Sequence, residues 1–151
     1  MILVLNRQRR VRVCLPWLRH AADIALPLCR EVSDDGRFAL RALPEITVAI
    51  VSDAAIARIH REFMGIAGPT DVITFEHGEV VMSAETARTY AVEYNHTIEE
   101  ELLLYTIHGL LHLNGFDDRT PDAAARMRRV QTRVWKKVLA SVTSDPSPCF
   151  S

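Results

Sequence analysis

Residues 97–115 carry the clearest structural signal in the chain, and they read TIEEELLLYTIHGLLHLNG. Thr97 and Glu100 have the spacing of a capping box, in which two side chains bond free backbone N–H groups at a helix start. The acidic run at 99–101 complements the positive end of the helix dipole. Apolar residues then occupy almost every side, which predicts a central, buried helix that ends at Gly115.

Two histidines of this helix, His108 and His112, stand four residues apart. At that spacing both side chains project from one face, so both imidazoles could bind one metal ion. A third ligand could return after the glycine turn, where Asp117 and Asp118 follow. The alternative is a pair of structural core histidines, although two unpaired buried imidazoles are costly.

The flanking sequence predicts four strands and four further helices. Alternating Val and Ile residues favour strands, and Ser or Pro at segment starts favours helix N-termini. The predicted strands are Ile2–Leu5, Glu45–Val51, Asp71–Phe75 and Glu79–Met82, and the predicted helices are Leu15–Val32, 53–63, 84–94 and 121–140. These elements indicate an α+β fold, in which a small mixed sheet of about four strands is packed by about five helices.

A chain of 151 residues with a net charge of −1 is expected to form one domain, over residues 1–140. Residues 141–151 are rich in Ser, Pro and Asp, and we predict a disordered tail there. Because the net charge is close to zero, attraction to nucleic acid must come from local patches.

The sequence favours a cytoplasmic location. The apolar run Ile2–Leu5 is too short for a signal peptide, and no stretch is long enough to span a membrane. Three scattered cysteines, none in a C-x-x-C pair, argue against a disulfide scaffold and favour a reducing compartment.

Basic residues cluster in two segments. The N-terminal segment carries Arg7, Arg9, Arg10 and Arg12, and the last helix carries Arg126, Arg128, Arg129, Arg133, Lys136 and Lys137. One interpretation is a solvated surface, and the other is a track for RNA phosphates. Trp17 and Trp135 are expected to be packing residues and not platforms for base stacking.

Three segments together resemble the YbeY family, bacterial rRNA maturation factors that act as single-strand-specific endoribonucleases. Residues 108–118, HGLLHLNGFDD, are similar to the family signature H-G-x-L-H-L-x-G-Y/F-D-H. Residues 68–75, GPTDVITF, resemble its P-T-D-V-L-S-F strand, and residues 78–83, GEVVMS, resemble its G-D-I-V-I-S strand. The order and spacing hold over residues 45–140, and Asn6-Arg7-Gln8 also fits.

The resemblance implies one zinc ion per chain, no organic cofactor, and a role with ribosomal RNA of the small subunit. It implies zinc-dependent cleavage in maturation of the small-subunit 3′ end and in ribosome quality control. His108 and His112 match family ligands directly, and the third family ligand, a histidine, is Asp118 here. Two histidines and a carboxylate form a known zinc ligand set. Asp117 could hold a ligand or a helix end from outside the ligand set.

The resemblance also exposes a difference in the loop before residue 68. The family pattern resembles Y-R-G-K-D, and its arginine position is occupied by Met64 in this chain. If that arginine binds phosphate, another residue must replace it. No general base is evident, and the candidate catalytic residues are Arg58, Arg61 and Asp71.

Three alternatives share the predicted metal ligands. A zinc peptidase is disfavoured because residue 109 is glycine, so the glutamate of H-E-x-x-H is missing. A ribosome-assembly factor with a structural metal would need no catalytic group. Two histidines and a carboxylate could also hold Fe(II) in an oxygenase, although the family signature disfavours that class.

Overall fold

The computed structural model describes residues 1–142, which form one four-stranded sheet and five α-helices. The strands are β1 (Ile2–Asn6), β2 (Ile46–Val51), β3 (Val72–Phe75) and β4 (Glu79–Ser83). The helices are α1 (Leu15–Arg30), α2 (Asp53–Met64), α3 (Ala84–Tyr94), α4 (Ile98–Leu113) and α5 (Pro121–Val142), and a short 3₁₀ helix spans Ala39–Ala42. The predicted α+β class and the mixed sheet are confirmed.

The sheet has the strand order β1-β2-β4-β3. Strands β1, β2 and β4 run parallel, and β3 pairs antiparallel with β4. The β3–β4 pair is a tight hairpin whose turn contains Gly78 at a φ of +108°, a conformation that favours glycine. The two predicted strands on either side of His77-Gly78 therefore form a hairpin.

The helices cover the two faces of the sheet unequally. The main core lies between one sheet face and helices α1, α4 and α5, where side chains such as Leu18, Leu110 and Val138 are fully buried. A smaller cluster lies on the opposite face, where Ile56 of α2 packs near Ile73 and Val81. Alternate residues along β2 and β4 belong to the two clusters, as the period of a β-strand requires.

Helix α4 is the central helix that the sequence predicted. The Thr97 hydroxyl accepts the N–H of Glu100 at 3.0 Å, and the Glu100 carboxylate accepts the N–H of Thr97 at 2.9 Å, which confirms the capping box. The indole N–H of Trp135 donates to the Glu100 carbonyl at 2.8 Å. Trp135 therefore ties α5 to the start of α4 and packs against the main core, as expected.

Gly109 allows α4 to approach the sheet closely. A Cβ atom at this position would lie 2.8 Å from both Val80 methyl groups and 3.2 Å from the Thr74 hydroxyl. Contacts of 2.8 Å are closer than carbon atoms tolerate, so a side chain here would force Val80 or the helix to shift. Residue 109 thus faces the sheet.

Two helices end at residues other than those predicted from the sequence. Helix α1 ends at Arg30, two residues early, and Pro27 lies inside it. Helix α5 continues to Val142, whose side chain is buried, so residues 141 and 142 are helical. Residues 143–151, the rest of the predicted tail, lie outside the described residues.

One cysteine of the described residues lies in the main core. Cys29 is a buried free thiol, and burial raises its pKa to about 12. Within residues 1–142, no helix combines the length and apolar character that crossing a membrane requires.

Candidate metal centre

His108 and His112 lie on the last two turns of α4 and face each other. Their Nε2 atoms are 3.0 Å apart. The rings are nearly perpendicular, with an interplanar angle of 85° and centroids 4.5 Å apart. Both side chains are half-buried. The spacing of four residues therefore brings the two imidazoles together on one face, as the sequence predicted.

Each imidazole is oriented by a hydrogen bond at its other nitrogen. His112 Nδ1 donates to the carbonyl of Phe116 at 2.9 Å, because a carbonyl oxygen can only accept. His108 Nδ1 lies 2.7 Å from the side-chain oxygen of Gln131 on α5, and it donates there for the same reason. Both neutral rings then carry their proton on Nδ1, so both Nε2 lone pairs point into the space between them.

This arrangement suits a cation. The pKa of His112 is lowered, first by burial and then by the charge of His108, so protonation of His112 is disfavoured. Two unprotonated nitrogens 3.0 Å apart repel unless a positive charge lies beside both. Two Zn–N bonds of about 2.0–2.1 Å at a tetrahedral angle place their nitrogens roughly 3.3 Å apart, close to the observed separation.

Asp118 brings a carboxylate to the same place. Its Oδ2 lies 3.9 Å from His112 Nε2, and one ligand atom from each of His108, His112 and Asp118 lies within 4.8 Å of the others. Such a group could hold a metal ion. The neighbouring Asp117 is used differently, since its Oδ1 accepts the backbone N–H of Arg119 at 3.0 Å.

The turn between α4 and Asp118 is fixed by a buried asparagine. Asn114 is fully buried, and its amide group donates to the Cys29 and Val32 carbonyls at the end of α1. Its side-chain oxygen accepts the N–H of Leu40 at 3.0 Å. The next residue, Gly115, has a φ of +100°, which favours glycine. The end of α4 is thereby anchored to α1 and to the 3₁₀ helix.

The three candidate ligands line a cleft of about 940 Å³. Its charged lining contains five carboxylates and two guanidinium groups, which gives a formal charge of −3 with neutral histidines. These residues are Asp35, Asp71, Glu76, Asp117, Asp118, Arg37 and Arg119. An acidic cleft of this kind attracts cations and repels phosphate until a cation is present.

Of the candidate catalytic residues, only Asp71 lines this cleft. Its Oδ1 accepts the N–H of Val72 at 2.8 Å, at the start of β3. Arg58 and Arg61 are exposed on α2 and are not among the residues that line the cleft. Met64 does line it, with half of its surface exposed.

Known proteins resemble this chain over most of its length. The sequence profile described as Endoribonuclease YbeY matches residues 19–139. The chain belongs to the YbeY family of endoribonucleases. An Endoribonuclease YbeY of Streptomyces griseus is 30% identical over 138 residues, which cover 76% of this chain and 84% of the relative. One of Symbiobacterium thermophilum is 36% identical over 99 residues, which cover 54% of this chain and 64% of the relative, less than two thirds of its length.

A solved structure shares the fold. The solution structure of TM1509 from Thermotoga maritima superposes with a TM-score of 0.66 at 26% sequence identity. The superposition covers 97% of this chain and 95% of the other. The same arrangement of sheet and helices is therefore established for a second protein.

Two residues at which this chain differs from the family pattern line the cleft. They are Asp118, where the resemblance predicts a third histidine, and Met64, where it predicts an arginine. The arginines that do line the cleft, Arg37 and Arg119, were not singled out from the sequence. Neither was Gln131, the partner of His108. Both arginines follow an aspartate by two residues, and this D-x-R spacing is the sequence feature from which they could have been identified.

The predicted basic surfaces have distinct environments. On α5, Arg128, Arg129, Arg133 and Lys136 line one shallow groove of about 660 Å³ together with Ala125 and Thr132. Arg126 instead makes a double hydrogen bond to the Asp34 carboxylate, at 3.1 and 3.2 Å. In the N-terminal segment, the Gln8 side chain accepts the N–H groups of Arg10 and Val11, so a fixed turn presents Arg9 and Arg10 to solvent.

Proposed function

We propose that this protein is a zinc-dependent, single-strand-specific endoribonuclease that acts in the cytoplasm on ribosomal RNA. The proposed substrate is precursor RNA of the small ribosomal subunit, cleaved during 3′-end maturation and ribosome quality control. Membership of the YbeY family supports the nuclease activity. One zinc ion would be held by His108, His112 and Asp118, with no organic cofactor.

One observation carries this proposal. Two imidazole Nε2 atoms face each other at 3.0 Å, beside a carboxylate, in a cleft whose net negative charge suits a cation. Three protein ligands on one side of an open cleft leave room for water or substrate, which distinguishes catalytic from structural zinc sites. A structural site would close all four positions with protein atoms.

The residues of the cleft have different proposed roles. A bound metal would supply an activated water and polarise a phosphoryl oxygen. Phe116 and Gln131 hold the two imidazoles in the tautomer that a ligand needs. Asp71 is the candidate for proton transfer, because its carboxylate lines the same cleft and its second oxygen, Oδ2, is outside the Val72 contact.

The experiment combines metal analysis of the purified protein with cleavage of single-stranded and double-stranded RNA. The parent should contain about one zinc per chain and cleave the single strand. The double variant His108→Ala, His112→Ala should lose both metal and cleavage. His77→Ala removes an exposed histidine outside the cleft and should retain both.

Two results would contradict the proposal. Full metal occupancy in the double histidine variant would exclude these ligands. Undetectable RNA cleavage by fully zinc-loaded parent protein would exclude the nuclease activity while leaving the proposed metal site intact.

A second candidate is an assembly factor without catalysis, whose metal only ties α4 to the following turn. Met64 in the cleft lining favours it, because the family pattern has arginine there. Met64→Arg should raise RNA cleavage without changing metal content if that position binds phosphate. Absence of cleavage in both proteins, with metal bound and ribosomal RNA still bound, would favour the assembly factor.

A peptidase activity is disfavoured by packing as well as by sequence. The position that carries the catalytic glutamate in H-E-x-x-H is Gly109, which faces β4 with no room for a side chain. A carboxylate cannot be introduced there without shifting Val80 or α4.

A further inference from the structure

Two aspartates that line the cleft form the same local turn. Asp35 Oδ1 accepts the backbone N–H of Arg37 at 3.0 Å, and Asp117 Oδ1 accepts that of Arg119 at 3.0 Å. In each turn the carboxylate fixes the backbone of the arginine two residues later. Each guanidinium group is then free to reach into the cleft that both residues line.

The Asp35–Arg37 turn is held against the helix end that carries the histidines. The Ser33 hydroxyl lies 2.9 Å from the Asn114 carbonyl and 3.0 Å from Asp35. The Asp35 carboxylate also occupies the space that a side chain at residue 115 would need, at 2.3 Å from an ideal Cβ. Contacts this close keep the first turn beside the second, which follows Gly115 directly.

The two guanidinium groups have little else to bind. Arg37 is highly exposed, and its Nε lies 4.0 Å from Asp35, at the outer limit of an ion pair. Among residues 1–142, no hydrogen bond or ion pair involves the Arg119 side chain. By contrast, Arg126 is held by Asp34 at 3.1 Å. Both guanidinium groups therefore lie at the cleft without a close carboxylate partner and remain accessible to a bound anion.

We propose that Arg37 and Arg119 form a phosphate clamp, in which the two guanidinium groups bind non-bridging oxygens of the RNA phosphodiester beside the metal. This inference rests on the proposed function and names the groups that bind its substrate. Guanidinium groups match phosphate oxygens in planar, two-bond contacts, whereas a metal ion supplies only a point charge. Both arginines line the same cleft as Met64, whose uncharged side chain cannot bind phosphate by charge.

The test compares Arg37→Gln, Arg119→Gln and the double variant with Arg88→Gln, which makes the same charge change on an exposed part of α3. A labelled single-stranded oligoribonucleotide is titrated with zinc-loaded protein over a range of salt concentrations. Each clamp variant should weaken binding about threefold to tenfold, and the double variant should weaken it further. The slope of log affinity against log salt should fall by about 0.7 for each lost phosphate contact.

Three controls separate the clamp from a structural role. Metal content and melting temperature should stay at parent values. Arg37→Lys should keep the parent salt slope because its charge remains, but should recover only part of the affinity because the two-bond contact is lost. Inorganic phosphate, titrated into zinc-loaded protein, should bind the parent more tightly than the double variant. Arg88→Gln should leave phosphate binding unchanged.

The outcomes distinguish the clamp from the proposed activity. Parent-like RNA affinity, salt slope and phosphate binding in the double variant would overturn the clamp while cleavage by the parent still stood. Loss of phosphate binding in the double variant would support the clamp even if the parent failed to cleave RNA, and in that case only the nuclease proposal would fail.

Discussion

Asp118 and Asp117 are neighbours, yet their carboxylates have different surroundings. Asp118 Oδ2 lies 3.9 Å from His112 Nε2, whereas Asp117 binds the N–H of Arg119. Asp118→Ala should therefore lower zinc affinity by at least about tenfold, since altering even the groups around a ligand costs that much. Competition with a chromogenic chelator would measure the change.

Asp117→Ala is the matched control for this prediction. It removes a carboxylate one residue away and should keep parent-like zinc affinity. The assignment of the third ligand would be reversed if Asp117→Ala lost zinc while Asp118→Ala retained it.

Residues close in sequence could be predicted, and residues brought together by the fold could not. The pairing of His108 with His112 follows from helix geometry alone. Gln131 lies 23 residues from His108 and reaches it only because α5 packs along α4. Spacing alone left the choice between the two aspartates open, because both follow the same turn, and the prediction of Asp118 came from the family resemblance.

Gly109 controls how closely α4 packs on the sheet. Gly109→Ala places a methyl group 2.8 Å from Val80, and overpacking of this kind costs about 1–3 kcal/mol. Replacing glycine within a helix recovers up to about 1 kcal/mol, so the net effect should be a modest loss. We expect the melting temperature to fall by a few degrees, measured by circular dichroism.

The double variant Gly109→Ala, Val80→Ala tests the cause of that loss. Removing the two Val80 methyl groups makes room for the new one, so Gly109→Ala should lower the melting temperature less in the Val80→Ala background. Equal decreases of the melting temperature in both backgrounds would show that contact with Val80 is not responsible.

The groove on α5 makes a separate prediction for RNA binding. Reversing the charge at Arg128, Arg129 and Arg133 should weaken the binding of single-stranded RNA and flatten its salt dependence. Arg126→Gln is the control, because that arginine is engaged by Asp34 and should contribute little. Unchanged affinity and salt slope in the triple variant would identify the groove as a solvated surface.

Element types could be predicted well because capping and periodicity are local. The capping box of α4 and the serine caps of α2 and α3 all form as the sequence indicates. Helix ends were less certain, since they depend on packing. Val142 extends α5 because its side chain is buried in the main core, a contact that no local pattern reveals.

At the scale of the whole molecule, the charge of the cleft links RNA binding to the metal. Five carboxylates against two arginines repel a phosphodiester, and a divalent cation offsets most of that charge. Removing zinc with a chelator should therefore weaken binding of single-stranded RNA as well as stop cleavage. Fluorescence anisotropy with and without chelator would measure the loss.

The double histidine variant provides the control for chelation. It cannot hold zinc by the proposed ligands, so chelator should leave its weaker RNA affinity unchanged. If chelator leaves the parent's affinity unchanged as well, RNA is bound mainly outside the cleft, and the α5 groove becomes the principal binding surface.

The hydrogen bond from His108 to Gln131 has a consequence for protein synthesis. The three candidate ligands have all been translated by residue 118, but Gln131 belongs to the next helix. A nascent chain that lacks α5 would carry every ligand, yet His108 would have no partner to set its tautomer. The buried side chains of α5 would be missing too, leaving apolar surface on α1 and α4 uncovered. Closure of the core and orientation of the first imidazole thus both depend on docking of α5.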